Sequence, residues 1–131
     1  MADFEDAQRI ALTLPKTTAE GTHIGVRRGA KVKGMAWLWN ERIDPKKPRV
    51  PNPAVLAVRV ASNEEKDELI AADPEKFFTE PHYAGFPAVL VRLDEVTAKE
   101  LRALVTEAWR CQAPADLKLS AARPSERKPP R

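Results

Sequence analysis

Apolar residues in this chain repeat with two different periods, and the switches between them predict the elements. Ala88-Val89-Leu90-Val91-Arg92-Leu93 puts Val89, Val91 and Leu93 on one face of a strand and Leu90 and Arg92 on the other. Asp94-Glu95-Val96 breaks that alternation, and the spacing then becomes helical. Leu101, Leu104, Val105, Ala108 and Trp109 fall on one stripe. Thr97 and Glu100 form a capping box, the Thr97 hydroxyl accepting from the Glu100 amide while the carboxylate reaches back, so this helix starts near Ala98. Its stripe needs a sheet to cover.

Earlier in the chain, Asp3 is placed to cap a first helix whose apolar face is Phe4, Ala7, Ile10, Ala11 and Leu14. Pro15 ends it, and Lys16 to Thr22 reads as a loop. From His23 to Trp39 the pattern predicts a hairpin turning at Gly29-Ala30, because a type II′ turn needs glycine at its first central position. That turn pairs Arg28 with Lys31, Val26 with Lys33, Gly25 with Gly34 and Ile24 with Met35. Strict alternation then places Arg28, Lys31, Lys33, Met35, Trp37 and Trp39 on one face, which cannot be uniformly core. Either a bulge at Gly34 resets the face, or the basic tip projects beyond the packed region.

Asn40 to Pro53 contains Pro45, Pro48, Pro51 and Pro53 and reads as an exposed, stiff loop. Val55 to Val60 is the next strand. Ser62 and Glu65 suggest a second capping box opening a short helix that buries Leu69 and Ile70 and stops before Pro74. One more turn delivers Phe77 and Phe78 to the core, and an aromatic turn runs on to Pro87. The expected architecture is α+β: a single domain over 1–119, with an antiparallel sheet of about four strands packed by N-terminal, middle and C-terminal helices. Residues 120–131 read as a basic, proline-rich disordered tail.

Length supports one core without staples, and Cys111, the single cysteine, excludes an intrachain disulfide. No apolar run approaches the ~20 residues of a membrane span, and the N-terminus lacks the basic start of a signal peptide. The expectation is a cytoplasmic monomer that makes no membrane contact. The net charge of +3 is unevenly distributed. Arg27, Arg28, Lys31, Lys33, Arg42, Lys46, Lys47 and Arg49 face only Glu41 and Asp44 within their segment, and the tail adds further cations.

Clustered cations on projecting backbone engage phosphates, so these eight residues are the candidate nucleic-acid contacts. The bland alternative is a pair of solvated loops. Nothing in the pattern implies base readout, so binding would be weakly specific, with double-stranded DNA the expected partner. The alternative function is a protein-interaction or small-ligand-binding domain using a pocket at His82, Tyr83 and Trp109, with Cys111 nearby, against which stands a turn whose aromatics simply pack. No carboxylate or nucleophile stands at a diagnostic spacing from His82, and two histidines with one cysteine make no metal motif. Neither a catalytic residue, a metal nor a cofactor is expected. Trp109 reads as core, whereas Trp37 and Trp39 stay open between packing and base stacking.

Asp73-Pro74-Glu75-Lys76-Phe77-Phe78, Pro81-His82-Tyr83-Ala84-Gly85-Phe86-Pro87-Ala88-Val89-Leu90-Val91 and Ala108-Trp109-Arg110-Cys111-Gln112-Ala113-Pro114 together resemble, in order and spacing, the MmcQ/YjbR family of small bacterial proteins. The resemblance spans about Phe4 to Leu119. It implies a CyaY-like fold and a DNA-binding double-wing arrangement. The Arg28–Lys31 turn matches one wing by position, and the Asn40–Pro53 connection offers the other. A frataxin-like iron role, which the fold name suggests, is disfavoured because the first helix supplies only Asp3, Glu5 and Asp6 as hard ligands.

Overall fold

The computed structural model describes residues 2–42 and 44–113, and of His82 the backbone. The expected tail over 120–131 and the domain boundary at 119 lie outside the described residues. Within them the fold is α+β: helices α1 (Phe4–Ala11), α2 (Asn63–Ala72) and α3 (Ala98–Gln112), with strands β1 (Thr17–Glu20), β2 (His23–Arg28), β3 (Lys31–Glu41), β4 (Val50–Arg59), β5 (Phe77–Phe78) and β6 (Ala88–Arg92). The strands form one antiparallel sheet in the order β1-β2-β3-β4-β6-β5. That is six strands where about four were expected.

The caps act as their sequences dictate. Asp3 and Asp6 satisfy each other's amides at the start of α1. Thr97 Oγ1 accepts from Glu100 N at 3.1 Å while Thr97 N donates to Glu100 Oε1 at 2.9 Å. At α2 the Ser62 hydroxyl accepts from Glu65 N, but the Glu65 carboxylate reaches past the cap to the Ala61 amide.

Alternation along the strands splits the apolar residues between two faces. Ile24, Val26, Ala36, Leu38, Leu56, Val58, Val89 and Val91 belong to the core that α1 and α3 cover, where Leu101, Val105, Ala108 and Trp109 are fully buried. Val55, Ala57, Ala88, Leu90 and Tyr83 form a second cluster on the opposite face, with Trp37, Trp39 and Phe78 packed on it.

Two stretches read as loops are strands. Thr17–Glu20 is the edge strand β1, paired with β2 through Thr17–Val26 to Glu20–His23. The proline-rich connection is shorter than expected, because β3 runs on to Glu41 and β4 begins at Val50, with Glu41 opposite Val50 and Asn40 opposite Pro51. Pro51 and Pro53 are tolerated because β6 pairs only with Val55–Arg59, leaving this part of β4 with a free edge. The register shifts between Leu38, opposite Leu56, and Trp39, opposite Asn52. Asn52 Oδ1 steadies the extra residues by accepting from Ala54 N.

Candidate nucleic-acid interface

The β2–β3 hairpin turns where the glycine requires it. Gly29 sits at φ 65°, Ala30 has no such left-handed backbone, and Arg28 pairs with Lys31, Val26 with Lys33 and Gly25 with Gly34. Ile24 is then opposite Ala36 rather than Met35. This bulge resolves the conflict in the alternation: Lys33 shares the helix-side face with Val26, whereas Trp37 and Trp39 turn to the other face. Gln112 Nε2, at the end of α3, donates to the Gly34 carbonyl at 2.9 Å and ties the bulge to the helix layer. Gly25 is required by close approach, because a Cβ there would lie 2.5 Å from Val32 Cγ1 and 3.1 Å from the Lys33 carbonyl oxygen.

Beyond the bulge, residues 27 to 34 are all exposed. Arg28, Lys31 and Lys33 lie on the helix-side face of the ribbon by register, with Arg27 and Val32 opposite. The second cluster sits on the β3–β4 connection. There Arg42 donates through Nη1 to the carbonyls of Pro45 and Lys47, and Arg49 donates to that of Asn40. Asp44 accepts from Lys46 N. These bonds shape the loop and leave Lys46 and Lys47 outward and exposed. Each guanidinium has five N–H groups, so both arginines retain donors. Among the described residues, no carboxylate pairs with any of the eight cations.

The eight do not form one patch. The hairpin turn lies at the start of β3 and the connection at its end, ten residue steps apart, which is roughly 30 Å of strand. Four cations stand at each end of the sheet.

Between them, on the face opposite the helices, lies a run of aromatic side chains. His23 and Trp37 stack with centroids 6.5 Å apart and planes 19° from parallel. Trp37 meets Phe86 at 6.4 Å, and Trp39 meets Phe78 edge-on at 5.9 Å. Arg59 lies over the Phe86 ring at 4.9 Å and Arg92 over Phe78 at 4.1 Å. Trp37 Nε1 donates to the Tyr83 hydroxyl, whereas buried Trp39 Nε1 has no partner among the described residues.

The pocket expected at His82, Tyr83 and Trp109 is not assembled. Tyr83 belongs to the open-face cluster, and Trp109 is buried in the helix-side core, its Nε1 donating to the Pro15 carbonyl at 2.9 Å. The sheet lies between them, and Cys111 is on α3, with Trp109. Of His82 only the backbone is described, as the middle residue of a short turn at Pro81–Tyr83.

Sequence reasoning missed Lys66. It is buried on α2, and its Nζ donates to the carbonyls of Tyr83 at 2.6 Å and Phe86 at 3.0 Å, pinning the aromatic turn. Burial holds its pKa below the usual lysine value. Also unanticipated is a cleft of about 440 Å³ between α2 and α3, floored by Val60, Leu69 and Leu104 and rimmed by Glu65, Glu68 and Glu107. Among the described residues no helix is long and apolar enough to cross a membrane.

Similarity to known proteins agrees with this geometry. The chain is 37% identical over 120 residues to the uncharacterized proteins Rv2570 of Mycobacterium tuberculosis and Mb2600 of Mycobacterium bovis, covering 89% of this chain and 93% of each relative. A crystal structure of the Deinococcus radiodurans protein DR2400, a DUF419 domain, shares the fold with a TM-score of 0.63 at 21% identity, over 98% of this chain and 87% of that one. The YjbR family model matches residues 12–111, and the chain belongs to the YjbR family.

Proposed function

We propose that this protein is a non-catalytic nucleic-acid-binding domain that holds phosphates at the two ends of its long strand. One observation carries the reading: four exposed or half-exposed cations gather at each end of β3, and among the described residues none of the eight has a carboxylate partner. Unneutralised cations on projecting backbone release counterions from a polyanion and gain affinity from that release. The separation of the ends, roughly 30 Å, is close to one helical turn of B-DNA, about 34 Å, so both can reach phosphates on one side of a duplex. Such contacts fix position without reading bases, which gives weak specificity.

The test is fluorescence anisotropy with a random-sequence duplex. One variant carries Arg28→Glu, Lys31→Glu and Lys33→Glu, and a second carries Lys46→Glu and Lys47→Glu. Arg42 and Arg49 stay, because they hold the loop. Each variant should bind at least tenfold more weakly with its circular dichroism unchanged. Unchanged affinity in both would discard the reading.

A further inference from the structure

We infer that the open face of the sheet, between the two basic ends, is a stacking platform for the unpaired bases of a single-stranded nucleic acid. This deepens the phosphate-binding reading and rests on it. The apolar residues of the helices pack on the other core, and the aromatic turn, held by Lys66 of α2, adds rings to this face: Tyr83 packs edge-on to Phe86 at 6.2 Å. His23 and Phe86 are exposed, with Phe86 at 40%, and Trp37, Trp39 and Phe78 are half-buried. Phe86 thus presents part of an apolar ring to water.

The platform is rigid. Trp37 is fixed by its bond to Tyr83 and leans over Gly34, where a Cβ would stand 3.5 Å from the indole. Arg59 and Arg92 are anchored by the carbonyls of Pro87 and of Pro74 and Glu75, and their guanidinium groups lie over one face of the Phe86 and Phe78 rings. Rings fixed in this way lose little freedom when a base stacks on them.

The order along the chain indicates the occupant. Following β3, the basic hairpin comes first, then Trp37 and Trp39, then the basic connection. Of the hairpin cations Arg27 shares the platform's face, while Arg28, Lys31 and Lys33 project from the same exposed tip on the other side; a strand whose bases lie on the rings then meets cations at either end. Of the carboxylates that β1 and β3 bring to this face, Glu41 accepts from Asn52 and Glu20 stands opposite His23 on the edge strand. A duplex keeps its bases stacked internally and uses only the ends. A single strand uses ends and platform together, so it is the preferred ligand.

The experiment titrates the full chain with oligothymidylate and with a random-sequence duplex of equal length. It follows anisotropy and tryptophan emission in the wild type and in Phe86→Ala, His23→Ala and Trp39→Leu. Oligothymidylate should quench the emission and bind more tightly than the duplex. Each substitution should weaken single-strand binding roughly tenfold and leave duplex binding within about twofold. Phe86→Ala and His23→Ala remove exposed rings, so they report even where Trp39→Leu fails to fold. Equal affinity for the two ligands, equal weakening of both, or absence of quenching overturns the inference; a platform that serves a protein partner gives the last of these. Loss of both affinities in the charge-reversed hairpin, with the single-strand preference absent, separates failure here from failure of the phosphate reading.

Discussion

The indole Nε1 of Trp37 donates to the hydroxyl of Tyr83 at 2.9 Å, joining β3 to a turn 46 positions later. This bond holds the aromatic turn on the open face and keeps a buried phenol satisfied. Tyr83→Phe leaves the Trp37 N–H without its partner and should cost roughly 1–2 kcal/mol. The check is urea unfolding followed by tryptophan emission, which should also shift to the red.

Gly25 and Val32 meet where the hairpin strands come closest. Gly25→Ala puts a methyl 2.5 Å from Val32 Cγ1 and should destabilise by about 1–3 kcal/mol. Adding Val32→Ala should recover part of that stability, because an exposed side chain supplies the nearer of the two clashes. Thermal melts of the single and double variants measure the coupling.

Lys66 makes a prediction with a definite sign. Burial lowers its folded pKa below the 10.5 of the unfolded chain, so between those values the unfolded state holds more protons and stability rises with pH. Lys66→Met should remove that rise. At neutral pH it should change stability by no more than about 1 kcal/mol, because the Tyr83 and Phe86 carbonyls keep donors in Phe86 N and Ala88 N. Urea melts from neutral to alkaline pH test both statements.

Glu100 contributes to the acid limb, as does Asp6, whose pKa is lowered chiefly by the hydrogen bond from Arg9. The hydrogen bond from Lys76, then the bond from the Thr97 amide, hold the pKa of Glu100 below 4.5. Its contribution is therefore present above 4.5 and is lost as pH falls through the lowered folded value. Lys76, raised above 10.5 chiefly by Glu100, loses its contribution only as pH rises through that higher value. Glu100→Gln should flatten the loss of stability on acidification, read as the urea midpoint across the acid range.

What was legible in the sequence was local. Thr97 and Glu100 cap α3 within one turn of each other, and Gly29-Ala30 determines a register that holds until the bulge. The bulge itself was visible as a contradiction, since Lys33 and Trp37 could not share a buried face. β1 escaped notice because a four-residue edge strand of Thr17, Thr18, Ala19 and Glu20 carries almost no apolar alternation. The prolines masked the start of β4, because they are excluded only from strands paired on both sides. The burial of Lys66 depends on carbonyls 17 and 20 positions away, and no local pattern encodes that. The separation of the cations is likewise tertiary: one sequence segment holds all eight, but an 11-residue strand carries four to each end of the sheet.

The most direct measurement of the central claim is the salt dependence of nucleic-acid binding. On a duplex, four neutralised phosphates give a slope of about −3.6 in log affinity against log salt, so doubling the salt weakens binding roughly tenfold. Charge reversal at Arg28, Lys31 and Lys33 should flatten that slope by about one for each phosphate no longer held. A slope near zero, or one unchanged in the charge-reversed hairpin, would contradict the account.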